Sequence, residues 1–165
     1  DCLLSRGLGD VYKRQEQGSS TFWDRSTLYA LRGIYIAGQA DRATEFLSHY
    51  ARRRLLGDHV PYPIEAWPEG SQRHLAAESG LFCRVITEGL FGIRPTGFRS
   101  FDLTPSMPSG WNRMALRHIR AFENNFDLVI EKQPDGFLRV TLAISGRNPR
   151  AFRLRQGASL RIKLP

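Results

Sequence analysis

The hydrophobic period of this chain changes once, at Ile93, from 3.6 residues to two, and that change limits the folds open to it. A stretch patterned at 3.6 cannot keep one face buried as a strand, and a stretch patterned at two cannot do so as a helix. Helices followed by strands, without alternation, predict an α+β chain: residues 16–92 helical, residues 93–165 an antiparallel β unit. In "STFWDRSTLYALRGIYIAGQ" the apolar positions are Leu28, Leu31, Ile34 and Tyr35, with Asp24 as N-cap and Gly38 where the helix should stop. "ADRATEFLSHYARRRLLGD" carries a stripe of Ala43, Phe46, Leu47, Tyr50 and Ala51 opposite a charged face, and Gly57 should end it. "HLAAESGLFCRVITEGLFG" is apolar nearly all round, which predicts a helix buried on most sides. Cys83, among Leu81, Phe82 and Val85, then reads as a buried, inert thiol.

Beyond Ile93, Phe126, Leu128 and Ile130 alternate with Asp127, Val129 and Glu131. Pro134–Gly136 is a turn signal, and Leu138, Val140, Leu142 and Ile144 follow on one face. "SLRIKL" places Leu160, Ile162 and Leu164 inward with Arg161 and Lys163 outward, and Arg139, Arg153 and Arg155 also fall outward. The net charge of +8 therefore needs locating. Residues 93–165 carry thirteen basic side chains against five acidic ones, whereas residues 16–92 carry eight against nine. Much of the excess reads as the wet face of amphipathic strands. Phe101, Phe126 and Phe152 sit with the inward apolar set instead of interleaving with the cations, so a single-stranded nucleic-acid platform is not expected. No apolar run is long enough to span a membrane.

"SRGLGDVYKRQ", Ser5 to Gln15, resembles a translated sequencing adapter more than any part of a domain. Residues 1–15 are expected to be a disordered artefact, with the natural reading frame resuming near Glu16 and its upstream part lost. Cys2 falls in that stretch, which leaves Cys83 alone and excludes an internal disulfide.

"PYPIEAWPEGSQRH", Pro61 to His74, is a long connection that reads as neither helix nor strand. Its prolines fix φ locally, and Tyr62, Ile64 and Trp67 are poor material for a solvated segment. The chemistry suits a sugar. Trp67 and Tyr62, with Trp23, offer flat faces to pyranose C–H surfaces, while His59, Gln72, Arg73, His74 and Glu69 offer hydrogen bonds to hydroxyls. Glu65 and Glu69 are the candidate pair of carboxylates for acid/base work on a glycosidic bond, with Glu78 a further contact one turn into the next helix. Each has a structural alternative: Glu65 and Glu69 as hydrogen-bonded loop staples, Glu78 as partner of His74 or Arg73. Glu88 reads as structural. His59 and His74 lack metal-ligand spacing, so no metal or other cofactor is expected.

The stretch from about Leu56 to Phe122 resembles the C-terminal region of six-hairpin (α/α)6-barrel glycosidases, the superfamily of rhamnosidase-like and cellobiose-phosphorylase-like enzymes. The residues carrying it are Gly92, Ile93, Arg94, Pro95 and Gly97, then Leu103, Pro105, Met107, Pro108 and Trp111. The resemblance implies that 16–92 are the last helical hairpins of such a barrel and 93–165 a small antiparallel β-sandwich-like unit behind it. It puts the Pro61–His74 loop beside the active-site cleft, with Glu65 or Glu69 as acid, base or substrate contact. The other carboxylate would lie in the missing N-terminal part of the barrel, and secretion or periplasmic export is usual for such enzymes. A glycoside hydrolase, inactive as this fragment, is the expectation. A sugar phosphorylase fragment, with Arg73 holding phosphate, and a non-catalytic carbohydrate-binding or scaffolding module stay open as alternatives.

Overall fold

The structure, a computed structural model, describes residues 22–55, 63, 66, 67 and 76–165. The adapter-like residues and most of the Pro61–His74 loop lie outside them. The chain is α+β and divides between Gly89 and Leu90 into two compact units.

The first unit starts with a short strand, β1 (Phe22–Trp23), that runs directly into α1 (Asp24–Ile36). Helix α2 (Ala40–Arg54) follows after three residues, then a second short strand, β2 (Ala66–Trp67), and α3 (Ala76–Arg84). Strands β1 and β2 pair antiparallel, Phe22 with Trp67 and Trp23 with Ala66. Helix α1 stops where Gly38 takes φ +78°. Gly38 N–H donates to Tyr35 O at 2.9 Å and Gln39 N–H to Ile34 O at 3.1 Å, the paired closing bonds of a glycine C-terminus. Leu28, Leu31, Ile34 and Tyr35 are all buried, as their spacing predicts. Burial pushes the Tyr35 phenol pKa up, against the hydrogen bond it shares with Thr44, so the phenol stays protonated. Thr44 Oγ1 donates to Ala40 O, which leaves Tyr35 OH as the donor in the 2.8 Å bond to Thr44 Oγ1.

Helix α3 continues as a wider π turn, Val85–Leu90. There Glu88 bonds Arg84 and lies 3.0 Å from Arg32 of α1, the structural role expected of it. Gly89 approaches Tyr35 closely; a Cβ there would sit 3.2 Å from its ring.

Expectations fail at three places in this unit. Asp24 does not cap α1: Trp23 holds the N-cap position, and Asp24 is the first helical residue, fully buried. Phe46, placed in the buried stripe of α2, is 44% exposed, because the small Ala43 and the long Tyr50 make the inward contact. Helix α3 is not buried on most sides. Glu78, Leu81 and Val85 face inward, while Ala76, Ala77, Gly80 and Cys83 are exposed, since the helix packs one face against α1.

The second unit holds two antiparallel sheets. One has the order β3 (Ile93–Gly97), β4 (Ser100–Leu103), β9 (Leu160–Lys163). The other is the meander β5 (Arg113–Ala121), β6 (Asn124–Lys132), β7 (Phe137–Ile144), β8 (Arg150–Arg155). The period-two reading holds closely here: Phe126, Leu128, Ile130, Leu138, Val140, Leu142 and Ile144 are buried and their alternates are not. Phe101 of β4 stacks on Phe126 of β6 at 5.9 Å and on Phe122 at 5.3 Å, so apolar faces of the two sheets meet. Each fully buried side chain of this size contributes about 1.5–3 kcal/mol.

Gly92, at the head of this unit, has φ +66°, and a Cβ there would lie 1.9 Å from Thr104 O. The "GIRPTG" stretch can start with glycine alone, since its backbone touches the 104–106 segment through Thr104 N–H to Gly92 O at 3.0 Å. Among the described residues no helix is long and apolar enough to cross a membrane.

Candidate functional site

Asp24 and Glu78 are the two buried charged side chains among the described residues. Both stand in the first turn of a helix, α1 and α3 respectively, where the free N–H groups favour a negative charge. Arg25 reaches from α1 to Glu78: its Nε donates to Oε1 at 2.6 Å, and its Nη2 lies 2.6 Å from the same oxygen. Arg25 is 45% exposed and Glu78 is fully buried, so the pair runs from solvent into the interior. Glu78 Oε2 has no hydrogen-bond partner among the described residues. Among the described residues the partner of Glu78 is thus an arginine 53 residues away; His74 and Arg73, the partners expected for it, lie outside them.

The β1–β2 ribbon leads into the helix that carries Arg25. It joins the chain just before Asp24 to the Ala66–Trp67 step of the acidic, aromatic loop. The loop is therefore not wholly irregular, because residues 66 and 67 find a strand partner that local sequence could not reveal. Of the other predicted site residues, His59, Tyr62, Glu65, Glu69, Gln72, Arg73 and His74 lie outside the described residues, and Trp67 is described in its backbone alone.

Arg25 carries no signal of its role at Glu78 in the sequence, and the buried Asp24 before it reads there as a helix cap. An acidic residue ahead of an apolar helix ordinarily caps it, and nothing local distinguishes a buried first-turn aspartate from a cap. Cys83, expected to be buried, is exposed. No group of three His, Cys, Asp or Glu that could hold a metal occurs among the described residues.

In the second unit the outward strand face is not purely basic. Phe137 lies on it, covered by Arg153 at 3.7 Å and Arg155 at 5.6 Å from its ring centre. Phe98, in the β3–β4 turn, is 98% exposed, and Trp111 is partly exposed.

By its fold the chain is an α+β protein, a helical unit carrying a buried, arginine-clamped carboxylate followed by a two-sheet β unit. No family model, curated protein or solved structure matches it.

Proposed function

We propose that the chain is the C-terminal part of a carbohydrate-active enzyme, a glycoside hydrolase of the six-hairpin (α/α)6-barrel superfamily. On this reading the helical unit supplies the last hairpins of the barrel and the β unit is a small sandwich that follows it in sequence. The observation that carries it is Glu78: a buried carboxylate, clamped by Arg25 where α3 begins, immediately after a proline-rich loop bearing Glu65 and Glu69. Burying a carboxylate costs several kcal/mol unless it is paired, and such groups are kept where orientation matters. Glu78 would then be a fixed hydrogen-bond acceptor for a substrate hydroxyl, with Glu65 or Glu69 doing the proton transfer at the glycosidic oxygen. Tyr29, Ile36 and Phe46, large apolar side chains exposed on α1 and α2, are a surface that further hairpins would cover.

The test is hydrolysis of a panel of aryl glycosides by the full-length protein and its Glu65→Gln and Glu69→Gln variants. At least one variant should lose about 100-fold or more in kcat. Near-normal turnover in both would remove the catalytic assignment. A second reading, a non-catalytic carbohydrate-binding module, is favoured by the exposed Phe98 and Trp111 of the β unit. Sugar binding by the full-length protein without hydrolysis of any member of the panel would select it.

A further inference from the structure

Strand β5 contains one break in its period. Met114 and Leu116 are spaced by two, but the next inward residue is Ile119. Leu116 pairs with Leu128 and Ile119 with Phe126, so Arg117 and His118 together oppose Asp127. This is a β-bulge, and it puts His118 at φ +56°, a conformation costing a non-glycine residue about 1–3 kcal/mol. The bulge is held by Asp127, whose Oδ1 accepts His118 N–H at 2.8 Å while Oδ2 lies 3.9 Å from Arg117. Around it, on the outer face of the four-stranded sheet, is a half-open pocket of about 450 Å³ whose polar lining is His118, Arg120, Asn125, Asp127 and Ser145, beside apolar atoms of Phe126, Ala143 and Ile144. That volume lies within the range of small-molecule sites.

The charge around the pocket is specific. All five acidic side chains of residues 93–165 pair with an arginine: Asp102, Glu123, Asp127, Glu131 and Asp135 with Arg161, Arg99, Arg117, Arg113 and Arg153. Arg120 has no ion pair among the described residues and lines the pocket. An anion is favoured there, by Arg120 and by the excess of cations over the whole unit. A bare anion is disfavoured, because the Asp127 carboxylate lines the same pocket and can only accept hydrogen bonds. A ligand that satisfies both must carry a negative group for Arg120 and hydroxyl donors for Asp127, with Asn125 and Ser145 free to serve either kind.

The geometry points to a binding site for a sugar acid, a pyranose bearing a carboxylate, on the β5–β6–β7 face. The carboxylate meets Arg120 and the His118 imidazole, and the ring hydroxyls donate to Asp127. The site shares with the proposed function only a ligand class, since it requires binding and no turnover.

The experiment is an amide-resolved NMR titration of the ¹⁵N-labelled full chain with D-galacturonate, D-galactose and acetate in parallel. Galacturonate should shift the amides of His118, Asn125 and Ser145, and should bind at least about tenfold more tightly than galactose or acetate. Arg120→Gln, at an exposed position, should erase that preference while leaving the rest of the spectrum in place. Equal binding of galactose, equal binding of acetate, or shifts confined to other residues would each overturn the site. Should Arg120→Gln fail to fold, the three wild-type titrations decide the matter alone.

Discussion

Arg25 and Glu78 differ in what each leaves behind when removed. Loss of Arg25 strands a carboxylate that is fully buried, whereas loss of the Glu78 charge leaves a guanidinium that is already half in water. Breaking a wholly buried pair from one side costs about 3–5 kcal/mol. Solvent at Arg25 reduces that, so Arg25→Ala should cost about 2 kcal/mol. Glu78→Gln keeps the shape and a hydrogen-bond acceptor, and should cost about 1 kcal/mol or less. Urea denaturation of the two variants measures both values. A Glu78→Gln variant less stable than Arg25→Ala would mean that the carboxylate is a structural anchor, and its proposed place in a substrate site would lose its main support.

Between elements, the least conventional connection is the β5–β6 turn. Its two central residues, Phe122 and Glu123, both have positive φ, 55° and 59°, where hairpins of this type favour Asn-Gly. Tertiary contacts offset the cost. The Phe122 ring stacks on Phe101, Asn124 Nδ2 donates to Phe122 O at 2.7 Å, and Arg99 makes two bonds to Glu123 Oε2. The Glu123 contribution is small, since exposed ion pairs are worth about 0.2–1 kcal/mol, while the left-handed backbone costs about 1–2 kcal/mol. Glu123→Gly should therefore stabilise the protein by about 0.5–1 kcal/mol, read as a rise in thermal midpoint. A fall would mean that the Arg99 pair holds the turn. This turn also shows why the fold was legible in part. Strands β6 and β7 follow from alternation, since burial on one sheet face imposes it directly. Phe122–Glu123 carries no turn signal because contacts from β4 and its neighbourhood stabilise it, and these are invisible to local sequence. The helices divide the same way: Leu28 to Tyr35 read true on α1, whereas α3 was judged by composition, which cannot say how many of its faces find a neighbour. The site was less legible than the fold. Arg25 pairs with Glu78 across 53 positions, and the bulge at His118 left a trace only in the Leu116-to-Ile119 spacing.

Over the whole molecule, the positive excess of the β unit makes its carboxylates act as ties among many cations. Two of them are displaced below the ordinary aspartate value of 3.8. Hydrogen bonds from Arg161 hold Asp102 down, at 2.7 and 2.8 Å, and tie β4 to β9. The Phe137 backbone N–H, then Arg153, hold Asp135 down in the β6–β7 turn. A group whose pKa is lower in the folded chain contributes stability that is present above its unfolded value and lost as pH falls through the folded one. The window is therefore below pH 3.8, and the loss deepens as the pH drops further. Protonation also leaves Arg161 and Arg153 uncompensated within a unit already rich in cations, which adds repulsion in the same direction. Both groups are at the surface, so salt should weaken the effect. Urea midpoints of the wild type should fall from pH 4 to pH 2 more steeply than those of an Asp102→Asn, Asp135→Asn double variant. The gap between the two proteins should close at the acid end, where the wild type has lost what the variant never had. Parallel curves for the two proteins would show that neither aspartate contributes to stability through its charge, and that the sheets are held by the apolar contacts around Phe101 and Phe126 alone.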